Sequence, residues 1–367
     1  MTGKLVLENL KHRPMRSLLS ILLIGVPVTL ILCLVGLSHG FIEDSQKRQR
    51  GSGADILMRP KSSSFLSLNG APIPEQLVGY MAKQPHVKMA TGVYSVVVEG
   101  VTLFATGINY EEFTQMCGGF QFHSGGAFQR PDDVILDDYY ADQTKAKLGD
   151  TINLLNAKWH VSGIMEGGKL THIVVPLKTL QERLENAGKV NQIYLRLDDP
   201  ANTAATVKYL TGIPALEGYP IISMEDFTSL LNVNNIPALA GFIAVVMGIG
   251  VVIGFAVVCL SMYMAVLQRT REIGILKSLG ASKGFILGII LSEAFFLGLG
   301  GTILGILMSY AAAALIHALK PASLPMTIAY DWWPIAGAIT VAGALLGALY
   351  PGLTAAAHDP IEALSYE

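Results

Sequence analysis

Charge is what this 367-residue sequence has least of: Asp, Glu, Lys and Arg make up 15% of it, against roughly 25% in soluble globular proteins. Neither sign dominates, since 26 basic and 28 acidic side chains leave a net of −2. With no global positive field, nucleic acid is set aside as a partner. Cysteine is also scarce, with three residues at Cys33, Cys117 and Cys259. The first and third lie in apolar runs, so the polar part of the chain holds one thiol and closes no internal disulfide. Apolar residues are abundant, at 51% before the 38 glycines are counted. They are gathered in four long blocks, which speaks against a soluble enzyme and for an integral membrane protein.

The blocks run over 17–38, 236–267, 284–316 and 332–357. About 20 helical residues cross a ~30 Å hydrocarbon core, so the second and third should tilt or protrude as stalks. Basic residues set the orientation. Lys4, Lys11, Arg13 and Arg16 precede the first block, and Arg269, Arg271, Lys277 and Lys283 lie between the second and third. Both groups face the cytoplasm by the positive-inside rule. The first block is too long for a secretion signal and lacks a small-x-small site after it, so it is expected to stay as an anchor.

The fold class expected is therefore an integral membrane α-helical protein, with four transmembrane helices and one α+β extracytoplasmic domain inserted between helices 1 and 2. Its organisation is a cytoplasmic amphipathic N-terminal segment 1–16, helix 17–40, external domain 41–235 and helix 236–267 with a stalk. A cytoplasmic coupling helix 268–283, helix 284–316, external loop 317–331, helix 332–357 and a cytoplasmic tail 358–367 complete it.

The external domain carries 17 basic and 21 acidic residues between His39 and Asn235, the charge frequency of a chain that folds in water. Strand-like stretches recur at 55–58, 94–98, 101–105, 134–136, 151–155, 159–164, 173–175 and 192–197, with helical patterns at 74–84, 177–187 and 200–210. The Ser/Gly-rich pieces 61–70 and 118–126 read as loops. Gly163-Ile-Met-Glu-Gly-Gly-Lys169 imitates a phosphate-binding loop, but Leu170 stands where Ser or Thr would hold magnesium. It reads as a tight turn after a strand. His39, His86, His123, His160 and His172 show no short ligand spacing, so no metal site is expected. The pairs Asp132/Asp133 and Asp137/Asp138 flank a short strand and read as solvated turn residues rather than a catalytic dyad.

The most informative stretch is Gln268-Arg-Thr-Arg-Glu-Ile-Gly-Ile-Leu-Lys-Ser-Leu-Gly-Ala-Ser282, where apolar residues at helical spacing sit among charges. It predicts a short amphipathic helix ending at Gly280. Because it joins two spans through a very short connection, a partner pushing on it would move both. The run from Arg269 to Gly280 resembles the signature of FtsX/MacB-type (type VII) ABC transporter permeases, in particular compact non-fused MacB-like or DevC-like membrane subunits. Asn9-Leu10 before the first span resembles the same family. So do Glu293 followed by Gly300-Gly301-x-x-x-Gly305, and Pro351 through Pro360 to Ala363-Leu364 at the end.

The resemblance implies a dimeric permease of two identical chains in the inner membrane, with both termini cytoplasmic. It implies a separate cytoplasmic ABC ATPase dimer that carries ATP and Mg, since this chain binds no cofactor of its own. It implies no catalytic residues and no enzyme activity in this chain. It also leaves room for a periplasmic membrane-fusion adaptor and for contact with membrane lipid. By the same resemblance the ATPase would grip Arg269, Arg271, Glu272, Ile275, Leu276, Lys277, Leu279 and Gly280, and the motion would pass outward by mechanotransmission. Small residues at four-residue spacing, Gly250/Gly254, Gly301/Gly305 and Gly343/Gly347, suit close helix packing within one chain or between two. Glu293 is an intramembrane carboxylate that needs a protein or water partner. The function expected is export or extraction of an amphiphile such as a lipid, peptide or drug. The alternative is an FtsX-like signalling subunit that activates an extracytoplasmic cell-wall hydrolase and transports nothing.

Overall fold

A computed structural model of the chain describes residues 14–63, 71–99, 103–232, 235, 237–319 and 326–357. The N-terminal segment before Pro14, the tail after Ala357, most of the Ser-rich stretch 61–70 and the centre of the loop 317–331 lie outside the described residues. The chain divides into a helical unit (Met1–His39, Ile236–Ala318, Met326–Glu367) and a second unit (Gly40–Asn235, Leu319–Pro325).

Among the described residues, four helices are long and apolar enough to cross a membrane. Helix α1 (Pro14–Arg50) runs well past the expected end near residue 40. Its apolar block stops there, but the polar residues that follow include no proline, and Asp44 and Arg48 pair one turn apart at 2.6 Å. The helix ends only where Gly51 and Gly53, the latter at φ +73°, admit a turn. Hydropathy reads the solvent in which a helix sits, not where it stops.

In the helical unit small residues bring backbones together. A Cβ on Gly305 would meet Val28 at 2.6 Å and the Gly25 carbonyl at 2.9 Å, and one on Gly301 would collide with Ile24. Gly347 lies so close to Phe255 that an added Cβ would meet its carbonyl at 2.7 Å. Gly250 abuts Pro27 at 3.4 Å, Gly343 only reaches Val251 at 4.0 Å, and Gly254 has nothing within 4 Å. Two of the three glycine pairs thus serve packing inside the chain at one or both positions, while Gly254 looks onto open space. Polar contacts add to this packing: Ser20 and Ser261 hydroxyls lie 2.8 Å apart, and Thr29 donates to the Gly25 and Gly305 carbonyls.

The second unit is α+β. After the end of α1 come β1 (Ile56–Met58), β2 (Ile73–Pro74), α2 (Gln76–Met81), β3 (Val87–Glu99) and β4 (Leu103–Ile108). Then follow α3 (Tyr110–Cys117), β5 (Phe122–Gly125), β6 (Asp133–Asp137), α4 (Asp138–Thr144), β7 (Thr151–Leu154), β8 (Ala157–Met165) and β9 (Ile173–Pro176). Helix α5 (Leu177–Arg183), β10 (Lys189–Val190), β11 (Gln192–Leu197), α6 (Thr203–Thr211), β12 (Ile221–Ser223) and α7 (Met224–Leu230) close it. The main sheet runs β12-β1-β11-β3-β4-β9-β6-β8-β5, with β7 on β8 and parallel pairs β4/β9 and β6/β8. Every strand-like stretch read from the sequence overlaps a strand, with residues 101 and 102 of the third lying outside the described residues. The Gly118–Gly126 piece differs: it contains β5, whose Phe122 and Gly125 pair with Met165 and Gly163.

Candidate functional site

Returning to the helical unit, α8 (Pro237–Gln268), α9 (Thr270–Ser278), α10 (Lys283–Leu319) and α11 (Trp333–Ala357) complete it. Helix α9 is the short amphipathic helix that the Arg269–Gly280 run predicts. Its end is a six-residue turn: Ala281 N–H donates to the Leu276 carbonyl and Gly280 N–H to that of Lys277. Gly280 sits at φ +95°, where a side chain would be strained.

The residues expected to act together on this helix point two ways. Arg269 is half-buried and its Nη1 donates to Glu293 Oε2 on α10 at 3.3 Å. Lys277 Nζ donates to the Ala356 carbonyl at the end of α11, 2.9 Å away, where a cation also suits the helix dipole. Arg271 and Glu272 are exposed, as are Ile275, Leu276 and above all Leu279, at 79%. One face is therefore tied into the bundle and the other presents a charged and apolar surface. Glu293, 7% exposed, has its partner in Arg269, which answers the cost of an ionisable group among apolar helices.

In the second unit a charged cluster surrounds the end of α1, and sequence reasoning missed it. Arg48 is 5% exposed; its Nε meets Asp44, and its Nη2 lies 2.9 Å from Asp137 Oδ2 and 3.1 Å from His172 Nδ1. His172 Nδ1 is itself 2.7 Å from Asp137 Oδ2, and Asp137 Oδ1 caps α4 by accepting from Tyr140 N–H. The reading of these aspartates as solvated is corrected: Asp133 and Asp137 are buried at both ends of β6, while Asp132 is exposed and Asp138 half-buried. All five residues of β6 are buried, so both its faces are covered. Burial alone would raise the Asp137 carboxyl. The His172 hydrogen bond and charge, the Arg48 charge and the Tyr140 N–H hold it below the usual carboxylate range. Asp133 is likewise held down against burial by the Gln129 and Arg130 N–H groups and by His160 at 3.0 Å.

The glycine-lysine segment is a turn, with Gly168 at φ +107° and Lys169 Nζ committed to the Cys117 and Gly119 carbonyls. A Cβ on Gly51 would collide with the Gly168 carbonyl, so the segment packs against the end of α1.

Comparison with known proteins places these features. Residues 17–213 match the model of the MacB-like periplasmic core domain, and residues 244–360 that of the FtsX-like permease C-terminal domain. The macrolide export ATP-binding/permease protein MacB of Sodalis glossinidius is 26% identical over 99% of this chain and 60% of its own length. An uncharacterized ABC transporter permease of Bacillus subtilis, YknZ, is 38% identical over 39% of this chain and 38% of its own. The crystal structure of the periplasmic region of MacB from Actinobacillus actinomycetemcomitans covers 50% of this chain and 94% of its own, at 17% identity and a TM-score of 0.38. The chain thus spans about 60% of the length of the MacB relative it matches end to end. With the periplasmic core model alone matching more than half of its residues, this chain belongs to the FtsX/MacB-type family of ABC transporter permeases.

Proposed function

We propose that the chain is the membrane subunit of an ABC transporter in which a separate cytoplasmic ATPase, holding ATP and Mg, drives export or extraction of an amphiphilic substrate. It works as a dimer of two such chains in the bacterial inner membrane, with both termini cytoplasmic and room for a periplasmic adaptor. The observation that carries this reading is the two-sidedness of α9. Arg271, Glu272, Ile275 and Leu279 are exposed together, and Arg269 and Lys277 tie the same helix to α10 and α11. A partner that covered Leu279 would gain about 1.5–3 kcal/mol from that side chain alone. Closure of the ATPase dimer would then displace α9 and pass into the long helices by mechanotransmission.

The test is co-purification from the native membrane followed by ATPase assay. Recovery of an ABC ATPase whose turnover rises with the permease, and falls to its unassisted level with Arg271→Ala/Leu279→Asp, supports the reading. Unchanged stimulation in that variant removes the coupling role of α9. Recovery of a peptidoglycan hydrolase that the permease activates without moving any substrate would replace transport by signalling.

A further inference from the structure

Beside α9, where Glu272 and Leu276 meet the last turns of α8 and the first turns of α10, lies a cavity of about 150 Å³. Its walls are apolar and mostly well buried: Met262, Ala265, Val266, Ile286 and Ile290 are each less than a tenth exposed. An apolar cavity of this size takes one hydrophobic ring and is not hospitable to water. Its polar groups are Arg269, Glu272 and Glu293. These three side chains sum to one negative charge, with Arg269 Nη1 donating to Glu293 Oε2. Glu293 Oε1 and both oxygens of Glu272 accept no hydrogen bond among the described residues. The cavity therefore joins a ring-sized apolar volume to carboxylate oxygens without donors, in a setting where a charged hydrogen bond is worth more than in water. Carboxylates cannot donate, so they repel an acid and have nothing to offer a neutral hydrocarbon.

We propose that this cavity is a binding site for a small lipophilic amine, its ring between α8 and α10 and its ammonium group donating to Glu293 and Glu272. The site shares Glu272 and Leu276 with the exposed face of α9, and its existence does not depend on what the permease transports. An occupant would stand between α9 and α10, the helix to which Arg269 tethers it.

The experiment uses the full-length chain in lipid nanodiscs with 2-phenylethylamine as probe, read by saturation-transfer NMR. Its carboxylate isostere 3-phenylpropanoate and the neutral ethylbenzene are the competitors. The expected result is saturable binding of the amine that neither competitor displaces, with affinity at least about tenfold lower in Glu293→Gln and in Glu272→Gln, the loss of one charge-assisted hydrogen bond. Ala265→Leu, which fills the cavity, should abolish it. Equal binding by Ala265→Leu would mean partitioning into lipid and would overturn the proposal, as would no amine binding or displacement by the acid. Should Glu293→Gln fail to fold, Glu272→Gln at its exposed position and Ala265→Leu still decide the matter.

Discussion

Removing either Arg48 or Asp137 should loosen the external unit, and removing both should cost much less than the two losses added. The structure sets the size. Asp137 is fully buried and Arg48 is 5% exposed, so either charge left alone stays where water does not reach it. Breaking such a pair from one side costs about 3–5 kcal/mol. The lower end applies, because Asp44 keeps contact with Arg48 Nε and His172 and the Tyr140 N–H keep contact with Asp137. Asp137→Asn preserves an oxygen to cap α4, and Arg48→Met preserves the aliphatic stem. About 3 kcal/mol each corresponds to roughly 160-fold faster exchange of the protected amides in β6 and β9, at 1.36 kcal/mol per factor of ten. With both charges gone no unpaired ion remains, so the double variant should lose no more than about 2 kcal/mol against a sum of about 6, a coupling of at least about 4 kcal/mol. Hydrogen exchange with mass spectrometry on the full chain measures all three. Single losses below about 1 kcal/mol, or a double loss equal to their sum, would refute the claim that this ion pair holds the end of α1 in the unit.

The same carboxylates give a pH signature. Asp133 and Asp137 titrate below their unfolded range, so their contribution is complete above about pH 4 and is lost as pH falls through the depressed values. Exchange protection in β6 should stay flat from neutrality to about pH 5 and decline below 4, and Asp137→Asn should blunt that decline. Gly305→Val should overpack α1 against α10 and cost about 1–3 kcal/mol, seen as a lower melting temperature in detergent, because Val28 lies where the new Cβ would go. Gly254→Val, with open space around it, should leave the melting temperature of the single chain unchanged; a selective loss of dimer in that variant would place the second copy at α8. On the proposed function, Arg269→Gln should leave ATPase binding intact yet reduce substrate-dependent stimulation, since Arg269 faces Glu293 and not the exposed surface; loss of ATPase binding itself would contradict that division.

The four long helices and the small inner helix were legible because each rests on a local signal. These are apolar length, the placement of Lys and Arg, and a glycine at the position where Gly280 takes its positive φ. Strand positions in the external domain were legible for a similar reason, as with Gln192–Leu197. What stayed hidden depends on pairings far apart in sequence. Asp137 meets Arg48 across 89 positions, and Glu293 meets Arg269 across 24. Read alone, an Asp at a strand end is a turn residue; only the burial of β6 on both faces, with Arg48 and His172 brought against it, makes it a buried ion. The direction of Arg269 and Lys277 was hidden for the same reason, because a helical wheel shows which residues share a face but not what lies opposite that face.

That division on α9 bears on how a membrane protein moves. Between helices surrounded by lipid there is no hydrophobic force holding one apolar surface to another, so association relies on packing and polar contacts. A short helix seated on its neighbours through apolar contacts alone would be free to rock when a partner pulled its outer face. The Arg269–Glu293 pair and the Lys277–Ala356 contact prevent this at opposite ends of α9, one toward α10 and one toward α11. The Arg269–Glu293 pair is largely buried, so parting its charges costs more than sliding apolar groups past one another. On the proposed coupling role, a displacement applied at Arg271 or Leu279 would be shared by two long helices, which is what a lever requires of its short arm.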